Sequence, residues 1–365
     1  MSNRVKQIHE LGQSIWLDFI DRRIMDSGDM QKLITEDGVR GVTSNPAIFE
    51  KAFSSSSDYD ADIVKLAKEG KSNDDIFYGV AVEDIKRAAD LFMQVYEEGV
   101  KGADGYVSLE VSPRFALDTE ATTKQALELW KAVHKDNVMI KIPGTKEGLP
   151  AIQECIKQGL NINVTLLFGL ERYEAVTEAY ITGLEERVAM GKPVEYVSSV
   201  ASFFLSRIDV AVDPLLKEKG LDQLKGEVAI ASAKKAYEIY KRVFATDRWK
   251  KLEEKGAKPQ RLLWASTGSK DPAFSDVKYV EALIGKDTVD TIPMDTLVAF
   301  RDHGNAANTL EQDLDKATAI LEQIKAAGID LDEITQKLED EGIEKFNQPY
   351  DKLLAAIEKQ KNELT

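Results

Sequence analysis

The sequence predicts an α/β protein: a closed (β/α)8 barrel with extra helices at the N-terminus, after the sixth strand and at the C-terminus. Three observations lead there. Eight short β-rich runs are separated by amphipathic helical stretches, and consecutive parallel strands require such crossover helices. The central run, Val138 to Gly144, is apolar but for one lysine and ends in Pro-Gly, as a strand buried on both faces does. No G-x-G-x-x-G follows the first run, which weakens the alternative of an open doubly wound sheet.

Taken in order, the first strand is expected over Ser14 to Phe19, followed by a short charged helix through Arg22 and Arg23. The second runs from Gly41 to Asn45 and is stopped by Pro46. A long helical region from about Asp58 to Val100 contains the capping signal Ser72-Asn73-Asp74. The third strand, Tyr106 to Val111, precedes a helix over Thr119 to His134. The fourth carries Lys141, with a helix from Leu149 to Gln158 behind it. The fifth is Ile162 to Phe168 and its helix Leu170 to Met190. The sixth, Glu195 to Phe204, leads into the helical insertion. The seventh is Arg261 to Ser266, and the eighth, Val289 to Pro293, enters a helix over Met294 to Arg301. A charged helical tail follows, with breaks expected at Gly328 and Pro349. The domain reading is one barrel over residues 1–365, with the insertion at about 209–256 and the tail at about 308–365.

Composition narrows the function. A formal charge of −15 argues against nucleic acid or an anionic membrane as partner, and any phosphorylated substrate must meet a local cationic pocket. The single cysteine, Cys155, permits no internal disulfide and reads as a small buried helix residue. With no signal peptide or membrane span in evidence, the expected location is the cytoplasm. His9, His134 and His303 are the only histidines, so no metal site is expected, and His9 and His134 read as solvated. No nucleotide-cradling loop is present; the Gly144-to-Gly148 spacing is too generic to count, and no cofactor is expected. Oligomeric state stays open, with a homodimer one of the options.

Lys141 is the residue that asks for an explanation. Desolvation disfavours an ammonium ion, so a buried lysine yields free amine near neutral pH, and free amine attacks carbonyls to form Schiff bases. The competing reading is a strand-end lysine that snorkels to water. The other strand ends bear on this choice. In a (β/α)8 barrel the chemistry sits at the C-terminal ends of the strands, and those positions carry Asp18, Asn45, Glu110, Lys141, Thr165, Ser202 and Ser266. Thr43, Ser108 and Asn163 lie two residues before Asn45, Glu110 and Thr165, which places each pair on the same face. One amine, two carboxylates and neutral hydrogen-bonding groups suit imine chemistry.

Four motifs carry a family resemblance. Val42-Thr43-Ser44-Asn45-Pro46, Ile140-Lys141-Ile142-Pro143-Gly144-Thr145, Asn163 through Phe168, and Thr291-Ile292-Pro293 through Phe300 closely resemble the transaldolases, in the same order along the chain. The resemblance runs from about Trp16 to His303 and is strongest to the longer subgroup with a large insertion after the sixth strand. It implies that Lys141 is the Schiff-base nucleophile and that Glu110 shuttles protons through a water positioned by Thr165. It also implies that Asp18 is the general base for carbon–carbon cleavage, and that Asn45 and Asn163 bind the dihydroxyacetone unit. At the phosphate end it implies Arg207, with Ser202 and Ser266 nearby. The better-known subgroup places a second arginine two residues after that serine; this chain has Gly268 there, so Lys270 is the candidate substitute, with a solvated loop lysine as the alternative. The implied partners are sugar phosphates. A lyase of the fructose 6-phosphate aldolase kind is the nearest rival, and a non-catalytic sugar-phosphate-binding barrel the more distant one. Glu110, the chain length and Phe204, where those aldolases carry tyrosine, argue for transfer.

Overall fold

The computed structural model describes residues 3–364. Seven parallel strands form one sheet: β1 (Gln13–Leu17), β2 (Val107–Glu110), β3 (Val138–Pro143), β4 (Ile162–Leu167), β5 (Ser199–Phe204), β6 (Arg261–Ala265) and β7 (Thr288–Ile292). Their order is β1-β7-β6-β5-β4-β3-β2. Val42 bridges the two free edges, pairing in parallel with Leu17 on one side and Val107 on the other. Backbone bonds from Leu17 to Gly41, Thr43 to Leu17, Val42 to Tyr106 and Ser108 to Val42 complete that seam. The sheet therefore closes, with helices between successive strands, and no unpaired edge is left at this position.

The expected second strand, Gly41 to Asn45, is thus a single bridging residue and not a regular strand. The cause is local. A Cβ on Gly41 would lie 2.6 Å from the indole of Trp16, so the backbone passes directly against that ring. Asn45 then leaves the sheet: its side chain accepts a bond from the Ile48 amide and caps the helix Pro46–Ser55, with Pro46 in the first turn. Asn-Pro signals a strand stop and a helix start equally well, and that helix was not anticipated. The expected sixth run also shortens, since Glu195 to Ser198 lie outside β5.

The remaining helices follow their signals. Ser72 and Asp75 form a capping box at the start of Asn73–Glu97. His134, in the left-handed conformation, ends Thr119–Val133, and the inserted region forms Ser206–Glu218, Val228–Val243 and Asp247–Glu253. His9 and His134 are exposed, and Cys155 is buried, its thiol pushed up to about 12 by burial. Among the described residues no helix is long and apolar enough to cross a membrane, and no group of three or more His, Cys, Asp or Glu could hold a metal ion.

In the tail, Gly328 separates Leu314–Ala326 from Leu331–Leu364 as expected, but Pro349 lies inside the second helix without ending it. Proline removes the bond to the carbonyl four residues earlier and its ring crowds that carbonyl. Tertiary contacts on both sides of it hold the helix together. Before it, Arg172 pairs with Glu339 at 3.2 Å. After it, the Tyr350 hydroxyl donates to Asp74 at 2.6 Å, and Leu353 and Ile357 are buried. This helix packs along Pro46–Ser55 and lays Lys345, Phe346 and Pro349 over the C-terminal mouth of the barrel.

Candidate active site

Parallel register assembles the centre of the site. Glu110 on β2 pairs with Lys141 on β3, and Lys141 pairs with Asn163 on β4, so three successive strands place these side chains at one level and on one face. Lys141 is only 5% exposed, which removes the snorkelling alternative. Its Nζ donates to the Ser44 carbonyl at 2.9 Å and lies 3.3 Å from Glu110 Oε2. Ser44 is itself tied down, donating its hydroxyl to the Ser108 carbonyl at 2.7 Å. The amine is thus held by two partners at the wall of a cavity.

Glu110 is buried, and beyond the ion pair neither carboxylate oxygen has a hydrogen-bond partner. Burial pushes its carboxyl up to about 7, opposed by the Lys141 charge. The buried Thr165 hydroxyl is likewise unpartnered. Directly after it the chain distorts: Leu166 adopts φ +55° where the β4–β5 register shifts between Val164 and Leu167. Asn163 is fully buried, donating to Ser108 Oγ at 3.1 Å and accepting from Ser202 Oγ at 2.7 Å. Ser202 therefore orients Asn163.

Asp18 lies one residue beyond β1, its amide bonded to the Ile292 carbonyl. Its carboxylate accepts from Thr43 Oγ1 at 2.7 Å, and Thr43 is 2.6 Å from the Thr291 hydroxyl. Burial raises the Asp18 carboxyl above the usual carboxylate range; Lys141, the Thr43 bond and Lys270 act against it. Two carboxylates thus flank one amine, in unlike surroundings.

A cavity of about 220 Å³ joins these groups, and its wall includes Asp18, Asn45, Lys141, Thr165, Ser202, Arg207, Ser266 and Lys270. Eight of the ten expected residues border it, and the other two contact one of those eight. Asn163 reaches it through Ser202, and Glu110 through Lys141. Arg207 stacks on Phe204, 5.5 Å from the ring centroid, and its Nη1 is buried without a partner. Ser266 has φ +56° and shares a 2.8 Å hydroxyl contact with Ser206. Lys270 borders the cavity but is exposed.

Comparison with known proteins agrees with this geometry. The family model described as transaldolase/fructose-6-phosphate aldolase matches residues 15–357. The chain belongs to that family. It is 47% identical to a transaldolase of Trichodesmium erythraeum over 378 aligned positions, covering 100% of this chain and 99% of the relative. It is 45% identical to one of Saccharopolyspora erythraea, covering 98% of each chain, and 43% identical to one of Thiobacillus denitrificans, covering 97% and 99%.

In this transaldolase-family barrel two further groups are not marked by the sequence. Lys345, from the C-terminal helix, borders the cavity. Asp290 on β7, beside Thr291, is fully buried, with both carboxylate oxygens lacking a hydrogen-bond partner. Burial pushes its carboxyl up to about 8, and the Thr267 hydroxyl acts the other way. The folded state therefore holds a proton that the unfolded chain has released, and stability is lost as pH rises from the ordinary aspartate range through about 8. Asp290→Asn is expected to remove that loss. Urea unfolding midpoints at about pH 6 and about pH 9 should show the variant gaining on the parent protein at the higher pH.

Proposed function

We propose that this protein is a transaldolase that moves a dihydroxyacetone unit from a ketose phosphate to an aldose phosphate through a Schiff base on Lys141. The observation that carries the reading is the buried Lys141 amine, 3.3 Å from Glu110. The donors are sedoheptulose 7-phosphate or fructose 6-phosphate, and the acceptors glyceraldehyde 3-phosphate or erythrose 4-phosphate, as in the non-oxidative pentose phosphate pathway.

The amine attacks the ketone carbon to give a carbinolamine. Glu110, through a water held by Thr165, protonates the departing hydroxyl, so water leaves and the protonated imine forms. Asp18 takes the proton from the C4 hydroxyl; the C3–C4 electron pair flows into the imine, releasing the aldose phosphate and leaving an enamine. Asn45 and Asn163 hydrogen-bond that three-carbon enamine while it waits. Its carbon then attacks the aldehyde of the acceptor, Asp18 returns the proton to the new alkoxide, and hydrolysis of the imine frees Lys141. The raised carboxyl of Glu110 supports the shuttle role, because both its protonation states are accessible near neutral pH. Arg207, with a buried unpartnered nitrogen, suits the substrate phosphate, aided by Ser266 and Lys270.

The test is acceptor dependence. Incubated with fructose 6-phosphate alone, the protein should release little glyceraldehyde 3-phosphate beyond a single turnover. Adding erythrose 4-phosphate should start continuous release together with sedoheptulose 7-phosphate. Steady release without an acceptor would identify a lyase and overturn the proposal. Phe204 in the cavity wall, with no phenolic hydroxyl to offer water or the enamine, supports transfer.

A further inference from the structure

The cavity presents an electrostatic problem that the residues assigned so far do not solve. A phosphate must enter a protein of net charge −15, and Lys141 is committed to the carbonyl. Arg207 supplies one half-buried cation there, its Nη1 buried without a partner. Two residues after Ser266 the chain has Gly268, which brings no charge, and Lys270 stands on an exposed loop. A phosphate dianion there needs more positive charge than Arg207 provides.

We infer that Lys345, on the C-terminal helix, is the additional phosphate-contacting residue and determines the preference of this site for phosphorylated substrates. Lys345 borders the cavity beside Phe346 and Pro349, on the same wall system as Arg207, Ser266 and Lys270. It comes from a different element than any of them, so its charge enters from the open side of the mouth. The helix that carries it is firmly seated. Gly342, one turn earlier, sits so close to the barrel that a Cβ there would lie 3.0 Å from Leu166, and Phe346 is buried. Leu166 directly follows Thr165, so the seat of Lys345 rests on the catalytic end of β4.

The side chain is free to be recruited. Its ammonium pairs with Glu341 at 3.1 Å, one helical turn away, in a half-exposed setting where such pairs are weak. Glu341 is also faced by Lys337 at 3.9 Å, so it keeps a cationic neighbour when Lys345 turns to a phosphate. Phosphate, with two charges and three acceptor oxygens, competes well against a carboxylate that already has a second partner. Binding would then tie the C-terminal helix to the ligand, closing the mouth over the sugar.

The inference rests on the proposed transaldolase reading, and the experiment keeps the two apart. Lys345→Met should raise the KM for erythrose 4-phosphate about tenfold, with kcat changed less than about twofold. The ratio of kcat/KM for erythrose 4-phosphate over unphosphorylated erythrose should fall by about the same factor, and Lys345→Arg should restore most of it. Inorganic phosphate should bind the Met variant about tenfold more weakly than the parent, as read by calorimetry without turnover. An unchanged KM together with unchanged phosphate affinity would overturn the inference, as would an equal loss on both acceptors, which marks a structural role. If the parent protein shows no transfer at all, the transaldolase reading fails, while the calorimetric comparison still decides whether Lys345 contacts phosphate.

Discussion

Replacing Lys141 with methionine is expected to lower turnover by about 10⁴-fold or more while leaving the barrel folded. The loss follows from covalency: without the amine no imine forms, and neither carboxylate can polarise the ketone enough to break a carbon–carbon bond. The fold should survive because of Glu110. The Lys141 charge holds that carboxyl down against burial. With the charge removed, Glu110 takes up a proton instead of remaining a buried, unpaired anion, so the strong penalty for breaking a buried pair is avoided. Methionine also fills the space of the lysine stem. Circular dichroism should therefore match the parent protein, and a coupled assay should register background rates. Substantial residual turnover would show that the carbonyl is activated by another group.

Glu110→Gln is expected to reduce kcat/KM by about 10²–10³-fold, within the range of a lost general acid–base, and to change the shape of the pH profile. In the parent protein the carboxyl titrates near 7, so its protonated fraction falls as pH rises through neutrality. Imine formation needs the acid form to expel water, and imine hydrolysis needs the base form to activate it. An ionisation near pH 7 should therefore be visible in the parent kcat/KM profile and absent from the variant. Glutamine keeps the shape and burial of the side chain but exchanges no proton. A variant with the parental profile and rate would assign proton transfer elsewhere, with Asp18 the next group to test.

Much of the site could be read from the sequence because strand ends impose a simple rule. A polar residue at the C-terminal end of a buried strand, on the inward phase, must meet either solvent or chemistry. Glu110, Lys141, Thr165 and Ser202 obey that rule, and register then fixes Glu110 and Lys141 as neighbours. Local signals were less decisive where one pattern serves two structures. Asn45-Pro46 stops the sheet and starts a helix, so the second strand contracts to the Val42 bridge. Pro349 should break an isolated helix, but packing through Glu339 and Tyr350 holds this one. Asp290 was overlooked because its isolation is a tertiary fact: nothing in Thr288-Val289-Asp290-Thr291 reveals that both carboxylate oxygens lack partners. Lys345 lies about 200 positions from Lys141 along the chain, in a helix whose charge pattern looks solvated throughout. Only the docking of that helix across the mouth brings it to the cavity.

The same contrast separates the two carboxylates. Sequence placed Asp18 and Glu110 at strand ends without distinguishing them. In the fold Asp18 holds a hydroxyl relay through Thr43 to Thr291 and faces the cavity, while Glu110 is enclosed beside the amine. The roles proposed above, a base for the C4 hydroxyl and an acid–base for the water lost and regained at the imine, call for two such different settings.

The most direct measurement is reductive trapping. The protein is treated with borohydride in the presence of fructose 6-phosphate, digested and analysed by mass spectrometry. The peptide containing Lys141, and no other lysine peptide, should gain the mass of a reduced three-carbon adduct. An unmodified Lys141 peptide under conditions of active turnover, or an adduct on a different lysine, would contradict the proposal.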